Sequence, residues 1–271
     1  MTDTVIRVEG LVKDHFSHFL RKRFRALDGV NLTVQKGEAF GLLGPNGAGK
    51  TTTQKLLLGL IKPTAGSITV LGKAAGEKSA LQRIGFLPEN PYFYAYLTAQ
   101  EFLDFFAQLF DLSGKVKADR IKELLELVSL TEAKDRPIRK FSKGMMQRLG
   151  VAQALINDPD LVFFDEPNSG LDPIGRRDIR QIMLLLKKQG KTIFFNSHML
   201  PDVKEICDRV GILHRGKMIG ENRISEICKS GSYQELEDYF MNMISNAEDE
   251  YRKTGSVTPY HIEREAQTGP R

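Results

Sequence analysis

Short apolar runs alternate along this chain with stretches whose apolar residues recur at helical spacing. Segments with strand character cover residues 5–8, 32–34, 38–43, 67–71, 83–87, 161–164 and 192–195. The last two are continuous apolar runs, which are typical of strands buried on both faces of a largely parallel sheet. The pattern therefore predicts an α/β fold built around such a sheet.

Helical patterns fill the spaces between these strands. Residues 50–59 predict a helix that Gly59 and Pro63 bring to an end. Between about residues 90 and 158, phenylalanines recur at helical spacing, and residues 121–128 repeat the pattern. We expect a helical insert there, with its phenylalanine stripe packed in the core.

Two segments are harder to place. Residues 15–25 read HFSHFLRKRFR, and a charge run of this kind predicts a solvated loop between two strands. Contact with anionic lipid head groups or a membrane partner is the alternative interpretation. Residues 231–271 predict a short amphipathic helix, followed from about residue 246 by polar, poorly ordered chain.

The composition is that of a protein with a sizeable core. Hydrophobic residues make up 41% of the 271 positions and charged residues 27%, which argues against extensive disorder. No apolar run reaches the roughly 18 residues needed to cross a bilayer, and no secretory signal opens the chain. We therefore expect a soluble protein made inside the cell. Cys207 and Cys228 have no metal-ligand spacing, which favours reduced thiols. The net charge of +5 does not identify a partner.

The segment GPNGAGKT fits the phosphate-binding P-loop, and it follows a predicted buried strand and precedes a helix. Backbone N–H groups and a helix N-terminus attract phosphate there. We expect Lys50 to contact the β- and γ-phosphates and the Thr51 hydroxyl to ligate Mg²⁺. A plain glycine-rich turn would not require lysine followed by threonine. The candidate nucleotide-binding residues are Gly44, Pro45, Asn46, Gly47, Ala48, Gly49, Lys50, Thr51 and Thr52.

Two carboxylates follow the apolar run at residues 161–164. Asp165 stands where an aspartate can hold Mg²⁺ beside a P-loop. Glu166 is adjacent and is not needed for the metal, so it is the candidate base that activates water. Acidic residues are common where a strand ends and a loop begins. Asp165 and Glu166 indicate a nucleotide site because a P-loop occurs upstream of them.

Further motifs follow in an order that resembles ABC ATPases. Residues 141–145 read FSKGM and are similar to the family signature LSGGQ, while residues 169–172 (SGLD) match the D-loop. Residues 196–198 (NSH) match the switch histidine, and residues 83–89 resemble the approach to the Q-loop. The resemblance covers about residues 5–227, and an ordered set of motifs is more specific than any one of them.

The resemblance implies a P-loop NTPase cassette, with a mixed, largely parallel core sheet, an antiparallel β subdomain and a helical subdomain. We expect the cassette over residues 1–230, with the helical subdomain at about 90–158. His198 becomes the γ-phosphate sensor. Two cassettes are expected to meet head to tail around two ATP molecules, with Ser142 and Gly144 contacting the partner's ATP. Ser142 should also cap its own helix.

The sequence departs from the family pattern at three places. Glu89 stands where the family typically has glutamine; we expect it to face Mg²⁺ or water. Lys143 and Met145 replace a glycine and the glutamine of the signature. An aromatic residue upstream should stack on adenine, and alignment to the strand favours Phe16.

Phe19 and Phe24 are the rivals of Phe16 for that role. The resemblance thus implies an ATP-hydrolysing, Mg²⁺-dependent motor subunit of an exporter, working with a second copy or a paralogous cassette and with transmembrane permease subunits. It would sit at the cytoplasmic face of the inner membrane, with no nucleic acid partner. The aromatic segment 91–96 is a candidate docking surface, with core packing as the competing explanation. Alternatives are a soluble ABC ATPase acting on ribosomes, DNA or protein complexes, and a nucleotide-binding regulator that does not hydrolyse.

Overall fold

The computed structural model describes residues 3–17 and 22–255. One of its two sheets is antiparallel and has the strand order β2-β1-β4-β5. Its strands are β1 (Thr4–Ser17), β2 (Lys22–Gln35), β4 (Ala65–Val70) and β5 (Lys73–Ala74). β1 pairs with β2 along nearly the whole length of both strands.

The second sheet has the order β10-β9-β3-β8-β7-β6. Its strands are β3 (Ala39–Leu43), β6 (Ile84–Leu87), β7 (Leu161–Asp165), β8 (Thr192–Asn196), β9 (Arg209–His214) and β10 (Lys217–Arg223). All neighbours are parallel except β9 and β10. Every residue of β3, β7 and β8 is buried, as the continuous apolar runs predict.

Helices cover both faces of this sheet and the region between β6 and β7. They are α1 (Lys50–Leu57), α2 (Lys78–Leu81), α3 (Ala99–Leu109), α4 (Gly114–Leu127), α5 (Lys143–Ala154), α6 (Pro173–Lys188), α7 (Leu200–Ile206), α8 (Ile224–Ile227) and α9 (Tyr233–Thr254). Helices α3 to α5 lie in the predicted helical insert. Among the residues that the model describes, no helix combines the length and apolar character needed to cross a membrane.

Side chains alternate between two hydrophobic clusters along the central strands. Phe163 and Phe194 pack with β1, β2 and α1, whereas Phe164 and Phe195 pack with the helices on the other face. Two-residue alternation of side chains is the property of a strand that produces this division. The central sheet is therefore held on both faces, and its carboxyl edge is a rigid base for the loops that follow the strands.

The structure differs from the sequence prediction at both ends of the chain. Residues 15–17 and 22–25 lie in paired strands of β1 and β2, so the prediction of a solvated loop over residues 15–25 is wrong for them. Residues 18–21, and with them Phe19, lie outside the described residues. At the other end, α9 continues to Thr254, so the prediction of poor order is wrong for residues 246–254. Residues 256–271 lie outside the described residues.

The aromatic segment near residues 91–96 lies mostly on the surface. Tyr92 is 83% exposed and Tyr96 73% exposed, so core packing does not explain them. Tyr94 contacts both Tyr96 and Phe105 through its ring. Phe93 alone among these aromatics turns inward, against Phe102.

Candidate functional site

A cavity of about 840 Å³ opens at the carboxyl edge of the central sheet. The loops after β3, β7 and β8 meet there because parallel strands present their carboxyl ends at one edge. Its lining comprises Phe24, Arg25, Ala26, Leu43, Gly44, Pro45, Asn46, Gly47, Ala48, Gly49, Lys50, Thr51, Thr52, Glu89, Asp165, Glu166, Ser197, His198, Leu200, Phe240, Met241 and Ile244. All predicted P-loop, carboxylate and histidine residues thus lie around one cavity.

The P-loop backbone requires glycine at two of its bends. Gly44 has φ 154°, and a Cβ there would lie 2.2 Å from the carbonyl oxygen of Leu213. Gly49 has φ 113° and immediately precedes α1, where a Cβ would lie 2.8 Å from the carbonyl oxygen of Ala26. Neither position has space for a side chain, and both φ angles favour glycine. These bends bring the loop backbone and the start of α1 to the wall of the cavity, where a helix N-terminus favours an anion.

Lys50 is folded back onto the loop that precedes it. Its Nζ donates to the carbonyl oxygen of Gly44 at 2.6 Å and to that of Pro45 at 3.2 Å. The side chain is 9% exposed. Burial lowers the pKa of its ammonium group, while the charges of Glu166 and Asp165 act in the opposite direction. An additional anionic group such as a phosphate would offset the effect of burial further.

Asp165 ends β7 and is nearly buried. Asn196, directly opposite on β8, donates its Nδ2 to Asp165 Oδ1 at 3.2 Å. The same amide also donates to Gln54 of α1. Burial raises the pKa of Asp165, the carboxylates of Glu166 and Glu89 raise it further, and the hydrogen bond from Asn196 opposes the shift. No local sequence pattern pairs Asn196 with Gln54, because 142 positions separate them.

Glu166 has a backbone conformation that is rare for a residue with a side chain, with φ 48°. Its N–H donates to the carbonyl oxygen of Asn196 at 3.0 Å, which holds this conformation in place. The Glu166 carboxylate lies 2.7 Å from Nδ1 of His198. Such backbone strain costs on the order of 1–3 kcal/mol and is concentrated at functional sites. The structure therefore joins the candidate base and the candidate sensor into one pair.

Mg²⁺ fits the residues that line this cavity. Thr51, Asp165 and Glu89 offer oxygen ligands, which Mg²⁺ prefers. Within the described ranges, no group of three or more His, Cys, Asp or Glu residues forms an all-protein metal cluster. An aspartate, a hydroxyl, water and phosphate oxygens are instead the usual ligands of such an ion beside a P-loop. The buried, desolvated Asp165 carboxylate is well suited to a cation.

Of the two candidate stacking residues that the structure describes, Phe24 lines the cavity and Phe16 does not. On the paired strands, Phe24 lies opposite His15 and stacks on its ring with centroids 5.3 Å apart. Phe16 lies opposite Arg23, one position along, and so faces the other side of the hairpin. The structure thus favours Phe24 over Phe16 as the ring that would stack on adenine.

The signature segment lies apart from this cavity in the single chain. Ser142 caps α5, and its hydroxyl accepts a hydrogen bond from the N–H of Met145 at 3.2 Å. Neither Ser142 nor Gly144 lines the cavity. Lys143 extends to the D-loop, where its Nζ lies 2.0 Å from the position that a Cβ on Gly170 would take. The lysine that stands in place of glycine therefore lies against Gly170 of the same chain.

Residues that the sequence analysis did not assign to the site come from α9. Phe240, Met241 and Ile244 line the cavity, although they lie about 190 positions beyond the P-loop. The amphipathic pattern at residues 231–243 predicted the helix. It could not reveal which loops the helix would lie beside.

The family model described as ABC transporter matches residues 27–169. An ABC transporter ATP-binding protein of Synechocystis sp. is 48% identical over 83% of this chain and 67% of its own length. The bacitracin transport ATP-binding protein of Bacillus licheniformis is 43% identical over 80% of this chain and 69% of its own length. The fluoroquinolones export ATP-binding protein of Mycobacterium tuberculosis is 42% identical over 82% of this chain and 72% of its own length.

Solved structures show the same architecture. One, the ATP-binding subunit of an ABC transporter, matches 89% of this chain and 99% of its own chain with a TM-score of 0.77 at 28% identity. Another is a dimeric ATP-binding cassette in a post-hydrolysis state, bound to ADP and phosphate. It matches 81% of this chain and 98% of its own with a TM-score of 0.73 at 25% identity.

Proposed function

The chain belongs to the ABC transporter family, and from that premise we propose that it is the ATP-hydrolysing motor subunit of a membrane exporter. The observation that carries the proposal is the meeting of the P-loop, Asp165, Glu166 and His198 around one cavity. Phosphoryl transfer to water depends on holding the triphosphate and orienting the water. The cavity offers groups for both tasks.

ATP is the substrate in this proposal. The P-loop N–H groups, the start of α1 and Lys50 hold its phosphates, and Lys50 exchanges its carbonyl partners for phosphate oxygens. Thr51, Asp165 and Glu89 would hold Mg²⁺, which neutralises charge on the β- and γ-phosphates when bound. Glu166 accepts a proton from the attacking water through its carboxylate.

His198 positions that carboxylate. Its Nδ1 lies 2.7 Å from Glu166, and its side chain is 62% exposed toward the cavity. It can therefore contact a γ-phosphate while it orients the base. Loss of the γ-phosphate then changes the contacts of both residues, which gives the site a means of distinguishing ATP from ADP.

We infer that two cassettes close head to tail around two ATP molecules. Ser142 and Gly144 do not reach the cavity of their own chain, which supports a role in completing the site of a partner. The start of α5 is a second helix N-terminus suited to phosphate. The partner is a second copy or a paralogous cassette, and alternation between closed and open dimers performs the work.

The transmembrane permease subunit would dock on the exposed aromatics of the helical subdomain. Tyr94, Tyr96, Leu97 and Phe105 line a groove of about 600 Å³ there, and exposed aromatic patches of this kind mark interfaces. In this proposal the chain lies at the cytoplasmic face of the membrane, bound to that subunit. The name of the bacitracin relative supports a role in transport, and the name of the fluoroquinolones export relative supports transport out of the cell.

Two measurements test this function. The purified chain should hydrolyse ATP in a Mg²⁺-dependent way, and tagged chain from a detergent extract should co-purify with a hydrophobic membrane subunit. A Tyr96→Ala variant should lose the membrane subunit and keep nucleotide binding, whereas Tyr233→Ala, an exposed tyrosine on α9, should keep both. Co-sedimentation with ribosomes or DNA in place of a membrane subunit would contradict the exporter assignment. Absence of hydrolysis would contradict the motor itself.

A further inference from the structure

The C-terminal helix α9 presents an apolar face to the cavity that the P-loop lines. Phe240, Met241 and Ile244, at i, i+1 and i+4, all belong to the lining, and Met241 is 59% exposed. Phe24 of β2 lines the same cavity. An exposed methionine on a helix needs no explanation by itself. Phe240 and Ile244 also pack against the hydrophobic core. The exposed Met241, on the wall of a phosphate-binding cavity, still needs an explanation because it offers nothing to a phosphate.

The helix is packed firmly in this position. Leu236, a residue of α9 itself, is fully buried. Gly220 of β10 makes room for two side chains of α9, because a Cβ there would lie 2.9 Å from Cε of Met243 and 3.1 Å from the hydroxyl of Tyr239. The side-chain amide of Asn222 of β10 lies within hydrogen-bonding distance of the same Tyr239 hydroxyl, at 3.4 Å. Contacts with β10 therefore hold the helix that carries the cavity-lining residues in a defined orientation.

The far end of α9 is bound to the turn between β9 and β10. The carboxylate of Glu248 accepts two hydrogen bonds from Arg215, each 3.2 Å, and lies 2.7 Å from Nε2 of His214. The guanidinium of Arg215 also lies over the ring of Tyr251, 4.1 Å from its centroid. Bidentate contacts to arginine combine strength with a defined geometry.

That turn also supports the two other walls of the cavity. The N–H of Gly216 donates to the carbonyl oxygen of Ala48 in the P-loop at 2.9 Å. The carbonyl oxygen of Gly216 accepts from the N–H of Asp28 in β2 at 2.8 Å, four residues after Phe24. The P-loop, the aromatic strand and α9 are thus joined at a single turn.

We propose that α9 is a wall of the ATP site and that Met241, with Phe240 beside it, contacts the nucleoside part of the bound nucleotide. The phosphates are assigned to the P-loop, so the base and ribose extend toward the remaining apolar lining, which Phe24 and α9 provide. A flexible, polarisable methionine suits the face of a base, and a purine offers the apolar area to cover it. This inference rests on the proposed ATPase function and adds the C-terminal helix to its binding residues.

The test compares nucleotide with its phosphate part alone. In the full chain, Met241→Ala should weaken ADP binding roughly 3- to 10-fold, the effect of losing part of a buried methionine contact. It should leave the affinity for inorganic tripolyphosphate unchanged. ADP titrations by calorimetry, at a concentration where ultracentrifugation shows a monomer, report the contact without dimer closure. Because Met241 is largely exposed, the variant should keep the thermal midpoint of the wild type.

Tyr233→Ala, which removes an exposed aromatic ring of the same helix away from the cavity, is the matched control and should bind ADP normally. Lys50→Ala should lose ADP and tripolyphosphate together. If the wild type binds ADP and Met241→Ala binds it equally well, the inference is wrong while the ATPase function stands. A loss of ATP-dependent dimer with unchanged monomer affinity would assign this face to the second copy and would also overturn the inference. If the wild type binds neither ligand, the proposed function fails first.

Discussion

Replacing Glu166 by glutamine tests the proposed catalytic step with little change of shape. Glutamine keeps the side-chain length and can retain the φ of 48° that the N–H bond to Asn196 holds. It can also keep a contact with His198, since an amide oxygen accepts where the carboxylate does. What disappears is the negative charge and the ability to take a proton from water.

The structure gives the direction of two separate effects. The charge of Glu166 favours the ammonium form of Lys50 and raises the pKa of Asp165, so removing it lessens the negative charge that a triphosphate meets. ATP affinity should therefore be equal or higher. Turnover should fall roughly 10²-fold or more, the range of general-base loss, which corresponds to about 2.7 kcal/mol or more in the activation barrier.

Steady-state phosphate release and equilibrium ATP binding measure the two effects independently. Glu132→Gln, an exposed carboxylate outside the cavity, is the control and should match the wild type in both. Size-exclusion chromatography of Glu166→Gln with ATP and Mg²⁺ should show a persistent dimer, because the closed dimer does not reopen when ATP is not hydrolysed. Near-normal turnover in this variant would remove Glu166 from the role of base.

Three further perturbations follow from the geometry. Gly44→Ala should abolish ATP binding and lower the unfolding free energy by about 1–3 kcal/mol, since its Cβ would meet a backbone carbonyl at 2.2 Å; unchanged ATP binding in a nucleotide titration would contradict this. Phe24→Ala should weaken ATP binding while Phe16→Ala does not, and the reverse result would restore Phe16 as the stacking ring. The hydrogen bond from Lys191 holds the pKa of Asp158 below its ordinary value of 3.8, so the stability it contributes is present above that pH and is lost as pH falls through the lowered value. Denaturation of wild type and Lys191→Met from pH 6 to pH 3 should show a larger loss in the wild type, since only the smaller effect of Arg120 on Asp158 remains in the variant; parallel curves would refute this.

Motifs that lie within a few residues of one another were readable from the chain. The P-loop and the Asp165–Glu166 pair each combine a strand end with the residues that follow it, so their chemistry depends on local spacing. The buried strands were also predictable, because continuous apolar runs are incompatible with an exposed face. The left-handed conformation of Glu166 was not, since it depends on a backbone bond to Asn196 on another strand.

The choice between Phe16 and Phe24 could not be made from local sequence patterns. Both are exposed aromatic residues at similar distances from the P-loop in sequence, and only the pairing of β1 with β2 decides which one faces the cavity. A shift of one position reverses every side chain of a strand. The same holds for the amide contacts of Asn196, which connect α1 to the end of β7.

Sequence alone determined the family, the phosphate-binding loop and the acidic residues beside it, because these depend on short-range order along the chain. The tertiary structure decided which aromatic faces the cavity, that Lys143 reaches Gly170, and that α9 stands on the cavity wall. Those relations arise where segments far apart in the chain pack together, and packing is set by three-dimensional complementarity that no local pattern encodes.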